Sequence, residues 1–339
     1  MEHPPLQPTP VGAIRFNTDS SKMEYYDGNQ WVNVTSDSPQ VQTGGTRGLV
    51  MGGGHPTCTN VIEYANIDST GDFANFGDLT APTNRLANVC FASRTRGFAA
   101  GGGSPAPNSY VNKIEYVTIS STGDGVDFGD LSGNYNESSS VSDSTRGVIY
   151  SGYPGTQNII DYITMASAGN AKDFGDKTNS SVGAGTMQSP TRGVYSSGET
   201  NGSPYAVVNS MVYLTIATTG NTADFGDAAR AVRYPAATSN AVRGVQALGG
   251  SPNTYTNAIE YITIATLGNA VDFGDLVASN LGYGGGGLGS PTRAVFVVGD
   301  NTDVDYVQIM TTGNAVDFGN VTDSGSSGGG CSNGHGGLG

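Results

Sequence analysis

Positive charge is scarce in this chain of 339 residues. It has 15 Lys and Arg against 29 Asp and Glu, which gives a formal net charge of −14, and only 13% of its residues are charged. Sequence-independent binding to DNA or to an anionic bilayer needs clustered Lys and Arg. We therefore expect neither nucleic acid nor a membrane surface among its partners.

Cysteine, histidine and long apolar runs are also scarce. No CxxC pair or metal-ligand spacing occurs among Cys58, Cys90, Cys331, His3, His55 and His335. We expect buried thiols rather than disulfides, histidines in flexible segments, and no metal or cofactor. No apolar run approaches the roughly 20 residues that span a bilayer, and the first ten residues do not resemble a signal peptide. We expect a soluble protein that is not exported by that route.

Glycine is abundant instead. The chain has 52 Gly, and Ser, Thr and Asn are plentiful. This composition is typical of short strands joined by many turns. It also occurs in disordered chains, but 17 Tyr, 11 Phe and regularly placed Ile and Val favour a packed core. We predict an all-β fold.

Three short motifs each occur six times. The first is Thr-Arg-Gly or a close variant, with Arg47, Arg96, Arg146, Arg192, Arg243 and Arg293. The second is an alternating segment such as AIEYITI, with Tyr64, Tyr116, Tyr162, Tyr213, Tyr261 and Tyr306. The third ends in Phe-Gly-Asp or a close variant, with Phe76, Phe128, Phe174, Phe225, Phe273 and Phe318. An internal repeat therefore organises most of the chain.

The spacing inside the repeat is fixed in one part and variable in another. Each Tyr is followed by its Phe after 12 residues, with a Gly seven residues after the Tyr, as in Tyr116, Gly123 and Phe128. A hairpin of fixed register requires such a constant count, since one inserted residue would turn a strand's apolar face outward. The distance from Arg to Tyr instead varies from 13 to 21 residues. We expect a hairpin around the Gly and a variable loop before the Tyr.

The repeat is 45 to 52 residues long. A repeat of this length with about four strands is typical of a β-propeller blade. The fourth strand is predicted just before each Arg, in stretches such as YPAATSN and YGGGGLG, whose small residues suit a crowded inner position. Arg47 lacks such a stretch, whereas the chain ends in SSGGGCSNGHGGLG. Aligning Cys331 with Cys90 makes this C-terminal segment the inner strand of the first blade. We predict a six-bladed propeller over residues 41–339, closed by the C-terminal strand.

Residues 1–40 predict a separate small β-module. Turn residues at Asn17–Ser21 and Asp27–Asn29 separate three short strands. We expect Phe16, Tyr25 and Trp31 to form the core of this module. Forty residues make a marginal independent domain, so we expect the module to dock on the propeller or on a neighbouring subunit.

Two resemblances accompany these patterns. The apolar strand ending in Gly-Gly, the variable loop and the Tyr strand resemble kelch-type propellers, although Phe replaces their Trp and the Tyr-to-Phe spacing is longer. The N-terminal run VGAIRFNTDSSKMEYYDGNQWVNV resembles a module of tailed-bacteriophage structural proteins, notably fibres. The blades and the SNGHGG terminus are similar to virion proteins of phages that infect marine cyanobacteria. The resemblance implies a virion protein, assembled in the host cytoplasm, that joins a homo-oligomeric or multi-subunit assembly through its N-terminal module.

The repeated charged residues favour a scaffold over chemistry. Six arginines near an axis could hold an anion, but a structural pair with the Asp of the Phe-Gly-Asp motif explains an Arg in every blade. Those aspartates are Asp78, Asp130, Asp176, Asp227 and Asp275. Carboxylates that recur in each blade lack the uniqueness of a catalytic pair, and no EF-hand loop, nucleophile elbow or P-loop occurs. We expect no enzyme; a glycan-cleaving enzyme, the least favoured alternative, predicts a deep axial pocket with a unique carboxylate pair.

The copies differ most in the loop that follows the Arg strand, and a propeller places these loops on one face. They combine rigid aromatic rings with adaptable hydrogen-bonding groups, as recognition surfaces do, although solvent-compatible loops have a similar composition. The candidate receptor-binding residues are His55, Asn108, Tyr110, Tyr153, Asn158, Tyr205, Asn253 and Tyr255. Two functions stay open: a virion appendage such as a tail fibre or spike that recognises a host-surface glycan or protein, and an architectural decoration or connector subunit without receptor binding.

Overall fold

The computed structural model describes residues 9–17, 22–33, 45–53, 58–83, 89–104, 109–154, 157–178, 181–200, 205–247, 249–251, 254–277, 285–298, 302–322 and 328–339. The chain divides into two compact units, Met1–Thr43 and Gly44–Gly339. Strands dominate both units, and the one helix in these ranges is a short 3-10 turn at Gly336–Leu338. The predicted all-β class is confirmed.

The first unit contains one antiparallel sheet, formed by Ile14–Asn17, Lys22–Tyr26 and Trp31–Asn33. The predicted turn at Asp27 is present, because Asp27 Oδ1 accepts hydrogen bonds of 2.8 Å from the backbone N–H groups of Asn29 and Gln30. The other predicted turn, at residues 17–21, lies outside the described residues apart from its first position.

The two faces of this sheet differ in character. On one face, Arg15 pairs with Glu24 at 2.8 Å and lies 4.1 Å from the ring centre of Trp31, which also packs on Tyr26. The other face is apolar and between 40% and 66% exposed, with Ile14, Phe16, Met23 and Tyr25.

The predicted common core of this module is therefore wrong. Trp31 pairs with Tyr26 rather than with Tyr25. Since neighbouring residues of a strand point to opposite faces, Trp31 lies on the face opposite to Phe16 and Tyr25.

The second unit contains six four-stranded antiparallel sheets in the described residues, each ordered inner, second, third and outer strand. We number them one to six by the repeated Arg that begins the second strand. The inner strands are Gly329–Ser332, Cys90–Ala92, Ser139–Ser142, Gly185–Gln188, Ala236–Ser239 and Gly287–Gly289. The second strands are Arg47–Gly53, Arg96–Ala100, Arg146–Tyr150, Arg192–Ser196, Arg243–Ala247 and Arg293–Val297.

The remaining strands complete each sheet toward the outside. The third strands are Thr59–Asn66, Lys113–Thr118, Ile159–Thr164, Ser210–Thr215, Ala258–Thr263 and Asp303–Gln308. The outer strands are Ala74–Asp78, Val126–Asp130, Lys172–Asp176, Ala223–Asp227, Val271–Asp275 and Val316–Asn320. Two further two-stranded sheets are present. Ser181–Val182 pairs with Glu199–Thr200, on either side of the inner and second strands of sheet four. Gly250–Ser251 and Thr254–Tyr255 form a short hairpin in the loop of sheet five.

The last strand of the chain completes sheet one, as the sequence predicts. Gly329–Ser332 pairs with Arg47–Gly53, and Cys331 stands opposite Leu49. In sheet two the equivalent partner pair is Phe91 and Phe98. The predicted alignment of Cys331 with Cys90 is therefore wrong by one residue, because Cys331 corresponds to Phe91.

Small residues fill the inner strands because the neighbouring strands approach closely. A Cβ atom on Gly287 would overlap the backbone of Ala237, and one on Gly330 would overlap Gly286. No disulfide joins the three cysteines; Cys90 and Cys331 are buried as predicted, whereas the third, at position 58, is only partly buried.

The apolar core of this unit lies between consecutive sheets. Leu49 and Met51 of sheet one pack against Ala99 and Val117 of sheet two, and equivalent clusters follow between each later pair. The sixth cluster joins sheets six and one, for example through Leu288 and Ile67. Each inner strand also contacts the inner strands of the sheets before and after it, sheet six meeting sheet one. Every sheet therefore packs against a neighbour on both faces.

Candidate functional site

The six repeated arginines link each sheet to the next. In each, Nη1 donates a hydrogen bond of 2.8 to 3.1 Å to a backbone carbonyl of the following sheet. In the order of the arginines, the acceptors are Ile119, Met165, Ile216, Ile264, Ile309 and Ile67. Each guanidinium also lies 4.1 to 4.7 Å from the ring centre of its own sheet's Tyr. The predicted pairing with the motif aspartates is wrong, because the planar guanidinium stacks on Tyr and bonds to a carbonyl instead.

The repeated Tyr and Phe pack edge to face in all six sheets, with ring centres 5.8 to 6.1 Å apart. Each Phe occupies a β-bulge of the outer strand: Asp127 and Gly129 pair with the adjacent residues Glu115 and Ile114, which leaves Phe128 between them. The six phenylalanines are 2% to 3% exposed. The bulge thus turns this side chain into the core.

The constant spacing from Tyr to Phe has a second cause besides the hairpin. The Gly seven residues after each Tyr donates its backbone N–H to the Phe carbonyl of the preceding sheet. These pairs are Gly71 with Phe318, Gly123 with Phe76, Gly169 with Phe128, Gly220 with Phe174, Gly268 with Phe225 and Gly313 with Phe273. The next residue, Asn or Asp, accepts a second bond, as Asp124 does from the backbone of Asp78 at 3.0 Å. The repeated phrase therefore ties each sheet to its predecessor.

The repeated carboxylates before Tyr make a third link. Five of them are 1% to 5% exposed: Glu63, Glu115, Asp161, Glu260 and Asp305. Each accepts a backbone N–H just after the outer strand of the preceding sheet, at 2.8 to 3.0 Å. Sheet four has Val212 at this position, and there Thr222 Oγ1 accepts from the N–H of Thr178 at 2.8 Å. These carboxylates serve the scaffold, so a ligand site is expected among residues that differ between repeats.

Three of the candidate tyrosines meet at one cavity of about 510 Å³. Tyr110, Tyr153 and Tyr205 come from the loops of sheets two, three and four and line it together. The ring centres of Tyr110 and Tyr153 are 5.6 Å apart with their planes at 82°, and Tyr205 is 65% exposed. A volume of this size lies within the roughly 300–1,000 Å³ of small-molecule pockets.

The other candidate residues lie elsewhere. Tyr255 is 45% exposed at the end of the short hairpin in the loop of sheet five and does not line the cavity. Asn158 is exposed just before the third strand of sheet three. His55, Asn108 and Asn253 fall outside the described residues.

Four lining residues were not predicted from the sequence: Glu137, Glu199, Val207 and Arg233. Glu199 Oε2 accepts from Arg233 Nη1 at 2.7 Å, and its Oε1 accepts from the hydroxyl of Tyr234 at 3.0 Å. Glu137 also shares a hydrogen bond with Tyr234. One phenol therefore contacts both carboxyl groups.

Glu137 and its partner Tyr234 adopt a backbone conformation that favours glycine. Glu137 and Tyr234 have φ of 58° and 53°, and each stands nine residues before the repeated Arg of its sheet. The equivalent residue of sheet four is Gly183, with φ of 62°. A side chain in this region costs about 1–2 kcal/mol. The sequence carries a signal for these residues, because equivalent positions in the segments that connect consecutive sheets hold Glu, Gly and Tyr.

Backbone hydrogen bonds fix the walls of the cavity. Tyr153 exchanges bonds of 2.7 and 2.8 Å with Asn136, and Arg233 exchanges two of 3.0 Å with Gly250. The carbonyl of Glu137 accepts a hydrogen bond of 3.0 Å from the N–H of Gly183, the equivalent residue in the segment that leads to sheet four. The site is therefore held before any ligand enters.

Burial is the main electrostatic influence on the lining groups. It raises the pKa of Glu137; the hydrogen bond with Tyr234 opposes this shift, while the charge of Glu199 adds to it. Burial also raises the pKa of Tyr110, with smaller contributions from Tyr153 and Glu137. The lining thus offers two carboxyl groups and one guanidinium, which is paired with Glu199.

The C-terminal residues lie across one end of the inner strands. The turn Gly336–Leu338 contacts the inner strands of sheets three, four and five. His335 is 4% exposed: its Nε2 lies 2.8 Å from the carbonyl of Ala92, and its Nδ1 accepts from the N–H of Gly337 at 3.1 Å and from Gln188 Nε2 at 3.0 Å. Burial lowers the pKa of His335 to about 4. The expectation that this histidine lies in a flexible segment is wrong.

A small cavity of about 20 Å³ lies among the inner strands, lined among others by Thr186, Thr238 and His335. It has room for about one water. Among the described residues, no helix is long and apolar enough to cross a membrane, and no three His, Cys, Asp or Glu side chains gather around a metal position.

Comparison with protein-family models and with curated proteins gives no match to this chain. Function is therefore inferred from the cavity and the loops that form it.

Proposed function

We propose that the protein is a non-enzymatic component of a bacteriophage appendage, of tail-fibre or spike type, that binds a host-surface glycan or protein. The loops that carry Tyr110, Tyr153 and Tyr205 are the proposed binding surface. One observation carries this proposal: these non-repeated loops meet in a cavity of about 510 Å³, whereas the repeated polar residues are engaged in links between sheets. Variable loops positioned by a regular scaffold are a common arrangement for recognition.

We further propose that the six sheets are the blades of a kelch-like β-propeller closed by the C-terminal strand. The pairing of Gly329–Ser332 with Arg47–Gly53 supports closure. So does the bond of 3.1 Å from Arg293 in sheet six to the carbonyl of Ile67 in sheet one. Such a ring displays the loops after the second strands on one face.

The apolar face of the N-terminal sheet is the proposed attachment to other virion proteins. Ile14, Phe16, Met23 and Tyr25 are between 40% and 66% exposed there. A three-stranded sheet needs its apolar face packed to be stable, and an open apolar patch typically marks a protein interface. A homo-oligomeric or multi-subunit virion assembly would supply that contact, and an architectural subunit would use it equally.

Binding of the purified full-length protein to intact candidate host cells tests the recognition proposal. The informative pair is Tyr205→Ser in the cavity and Tyr255→Ser outside it, because both side chains are exposed loop tyrosines whose loss changes stability little. We expect Tyr205→Ser to lose cell binding and Tyr255→Ser to keep it. Equal binding by all three proteins would place recognition outside the cavity, and no binding by any would favour an architectural subunit.

A further inference from the structure

We propose that the cavity binds an uncharged, hydroxyl-rich ligand, namely the terminal monosaccharide of a surface glycan. This inference rests on the proposed recognition function and names the ligand class of that same site. A pyranose has an apolar C–H face and a rim of hydroxyl groups. The cavity offers a surface for each, with Tyr110, Tyr153 and Tyr205 for the face and two carboxyl groups for the rim.

The aromatic walls fit a flat ring better than an aliphatic side chain. The rings of Tyr110 and Tyr153 are nearly perpendicular, at 82° to each other, and both line the cavity. Tyr205, 65% exposed, adds a wall at the opening. Among the described lining residues Val207 is the one aliphatic side chain, so this part of the lining offers more aromatic than aliphatic surface.

The carboxyl groups suit vicinal hydroxyls. Glu199 accepts from Arg233 at 2.7 Å and from the Tyr234 hydroxyl at 3.0 Å. Glu137 shares the same hydroxyl, whose single proton serves one of the two carboxyl groups at a time. A carboxylate has about four acceptor positions, so these contacts leave capacity for ligand hydroxyls. Hydrogen bonds from a neutral hydroxyl to a fixed carboxylate are among the stronger ones.

The charge of the cavity argues against acidic sugars. Two carboxyl groups face one guanidinium, which already forms an ion pair with Glu199. A uronic or sialic acid would bring a third carboxylate beside them and be repelled. A small ammonium group would be attracted to tyrosines and carboxylates, but it would leave most of a cavity of about 510 Å³ unfilled. The neutral monosaccharide satisfies both the charge and the volume.

The backbone adds an independent reason to regard Glu137 as retained for binding. Glu137 occupies a left-handed position that Gly183 occupies without strain in the segment that leads to sheet four. Its side chain lines the cavity, and its partner Tyr234, which is 5% exposed, contacts both carboxyl groups from outside the lining. Backbone strain favours glycine at position 137, so the scaffold does not explain a glutamate there.

Ligand-observed saturation-transfer NMR on the full-length protein tests this ligand class. The probes are methyl glycosides of glucose, galactose and mannose, N-acetylglucosamine, glucuronic acid, glucosamine and choline. We expect at least one neutral sugar to bind and glucuronic acid to bind more weakly. Glu137→Gln and Tyr205→Ser should each weaken the neutral sugar about tenfold or more, while Tyr255→Ser should leave it unchanged.

A second variant distinguishes loss of sugar binding from loss of folding. Glu137→Gly removes the carboxyl group at a position that suits glycine, so it should lose sugar binding while its unfolding midpoint stays equal or rises. Failure of every neutral sugar to bind, equal binding by all variants, or tighter binding of choline or glucosamine would overturn the inference. Cell binding that Tyr205→Ser abolishes, without any neutral sugar binding, overturns the ligand class alone. Sugar binding without cell binding supports the ligand class and overturns the recognition function.

Discussion

The side chain of Asn333 accepts a hydrogen bond of 3.0 Å from the backbone N–H of Arg47, which lies 286 residues earlier in the chain. In the other five sheets the same bond is local, and its acceptor is the side chain of the residue three positions before the Arg. Those residues are Ser93, Asp143, Ser189, Asn240 and Ser290. The C-terminal segment thus supplies sheet one with both an inner strand and the turn residue that every other sheet carries within its own repeat.

Asn333→Ala should lower the free energy of unfolding by about 1 kcal/mol, because the buried turn loses one hydrogen bond and Arg47 N–H loses its acceptor. Asn333→Ser should cost much less, since serine fills this position in three other sheets. Urea unfolding of the three proteins measures the difference. A serine variant as unstable as the alanine variant would mean that the side-chain bond contributes little.

Most of the repeat architecture could be predicted because its determinants are local. The fixed interval from Tyr116 to Phe128 predicts a hairpin, and the small residues around Gly287 predict closely packed inner strands. The partner of each Arg could not be predicted in this way. Arg96, for example, stacks on Tyr116 and bonds to Met165 in another sheet, so its geometry depends on tertiary packing.

The candidate site could be predicted only in part. Tyr110, Tyr153 and Tyr205 were found because their loops vary in length between repeats. Glu137 and Arg233 lie in the segments that connect consecutive sheets, and only the packing of sheets two to five brings them to those loops. Variable length in the sequence identifies a loop. Which loops and connecting segments come together depends on how the sheets pack.

His335 makes stability sensitive to acid. Its folded pKa of about 4 lies below the ordinary 6.5, so between these values the unfolded chain binds a proton that the folded chain does not. Stability therefore falls as the pH falls from 6.5 to 4, by roughly 3 kcal/mol at most. Urea unfolding across this window measures it. Burial is the main cause, Arg94 lowers the pKa further, and Ala92 and Asp143 oppose the shift.

The control for this prediction is His335→Gln, which cannot titrate. The raised pKa values of Glu137, Asp161 and Glu260 act in the opposite direction over acidic pH, so the informative quantity is the difference in slope between wild type and variant. The variant should show the smaller loss of stability on acidification. Parallel pH profiles would contradict a neutral buried His335.

Lys177 destabilises the fold at neutral and lower pH. Its buried Nζ donates to the carbonyls of Ser151 and Ser181 at 2.6 and 2.9 Å and lies 5.6 Å from the ring centre of Tyr195. Burial lowers its pKa to about 7 from 10.5. The unfolded chain holds the proton more tightly, so stability rises as the pH rises from 7 toward 10.5 and is lowest below 7. Equivalent positions in the other sheets are apolar: Leu79, Leu131, Ala228, Leu276 and Val321.

Lys177→Met should therefore raise the free energy of unfolding at pH 6 by roughly 2 kcal/mol, since relief of desolvation exceeds the two lost hydrogen bonds. The gain should shrink as the pH rises. Lys172→Met, which removes an exposed lysine of the same outer strand region, is the matched control and should change stability little. A loss of stability in Lys177→Met at pH 6 would mean that the carbonyl bonds outweigh the cost of burial.

Sheet four offers a direct test of the carboxylate link, because it uses Thr222 where the other sheets use Glu or Asp before Tyr. Thr222→Val keeps the side-chain shape but removes the acceptor of the Thr178 N–H, and should cost about 1–2 kcal/mol. Adding Val212→Glu to this variant supplies the carboxylate acceptor that the other five sheets have at this position. We expect the double variant to be more stable than Thr222→Val alone.

We expect the effect of Val212→Glu on the free energy of unfolding to change sign between the two backgrounds, which a double-mutant cycle measured by urea unfolding tests. In the wild-type background, Val212→Glu buries a carboxyl group whose natural acceptor role is already filled by Thr222, so it should be destabilising. In the Thr222→Val background the same substitution should be stabilising, because the Thr178 N–H then needs an acceptor. Thr215→Val, at an exposed position of the same sheet, controls for the general effect of replacing threonine. If Val212→Glu has the same effect in both backgrounds, the carboxylates of the other sheets are not interchangeable with the Thr222 link.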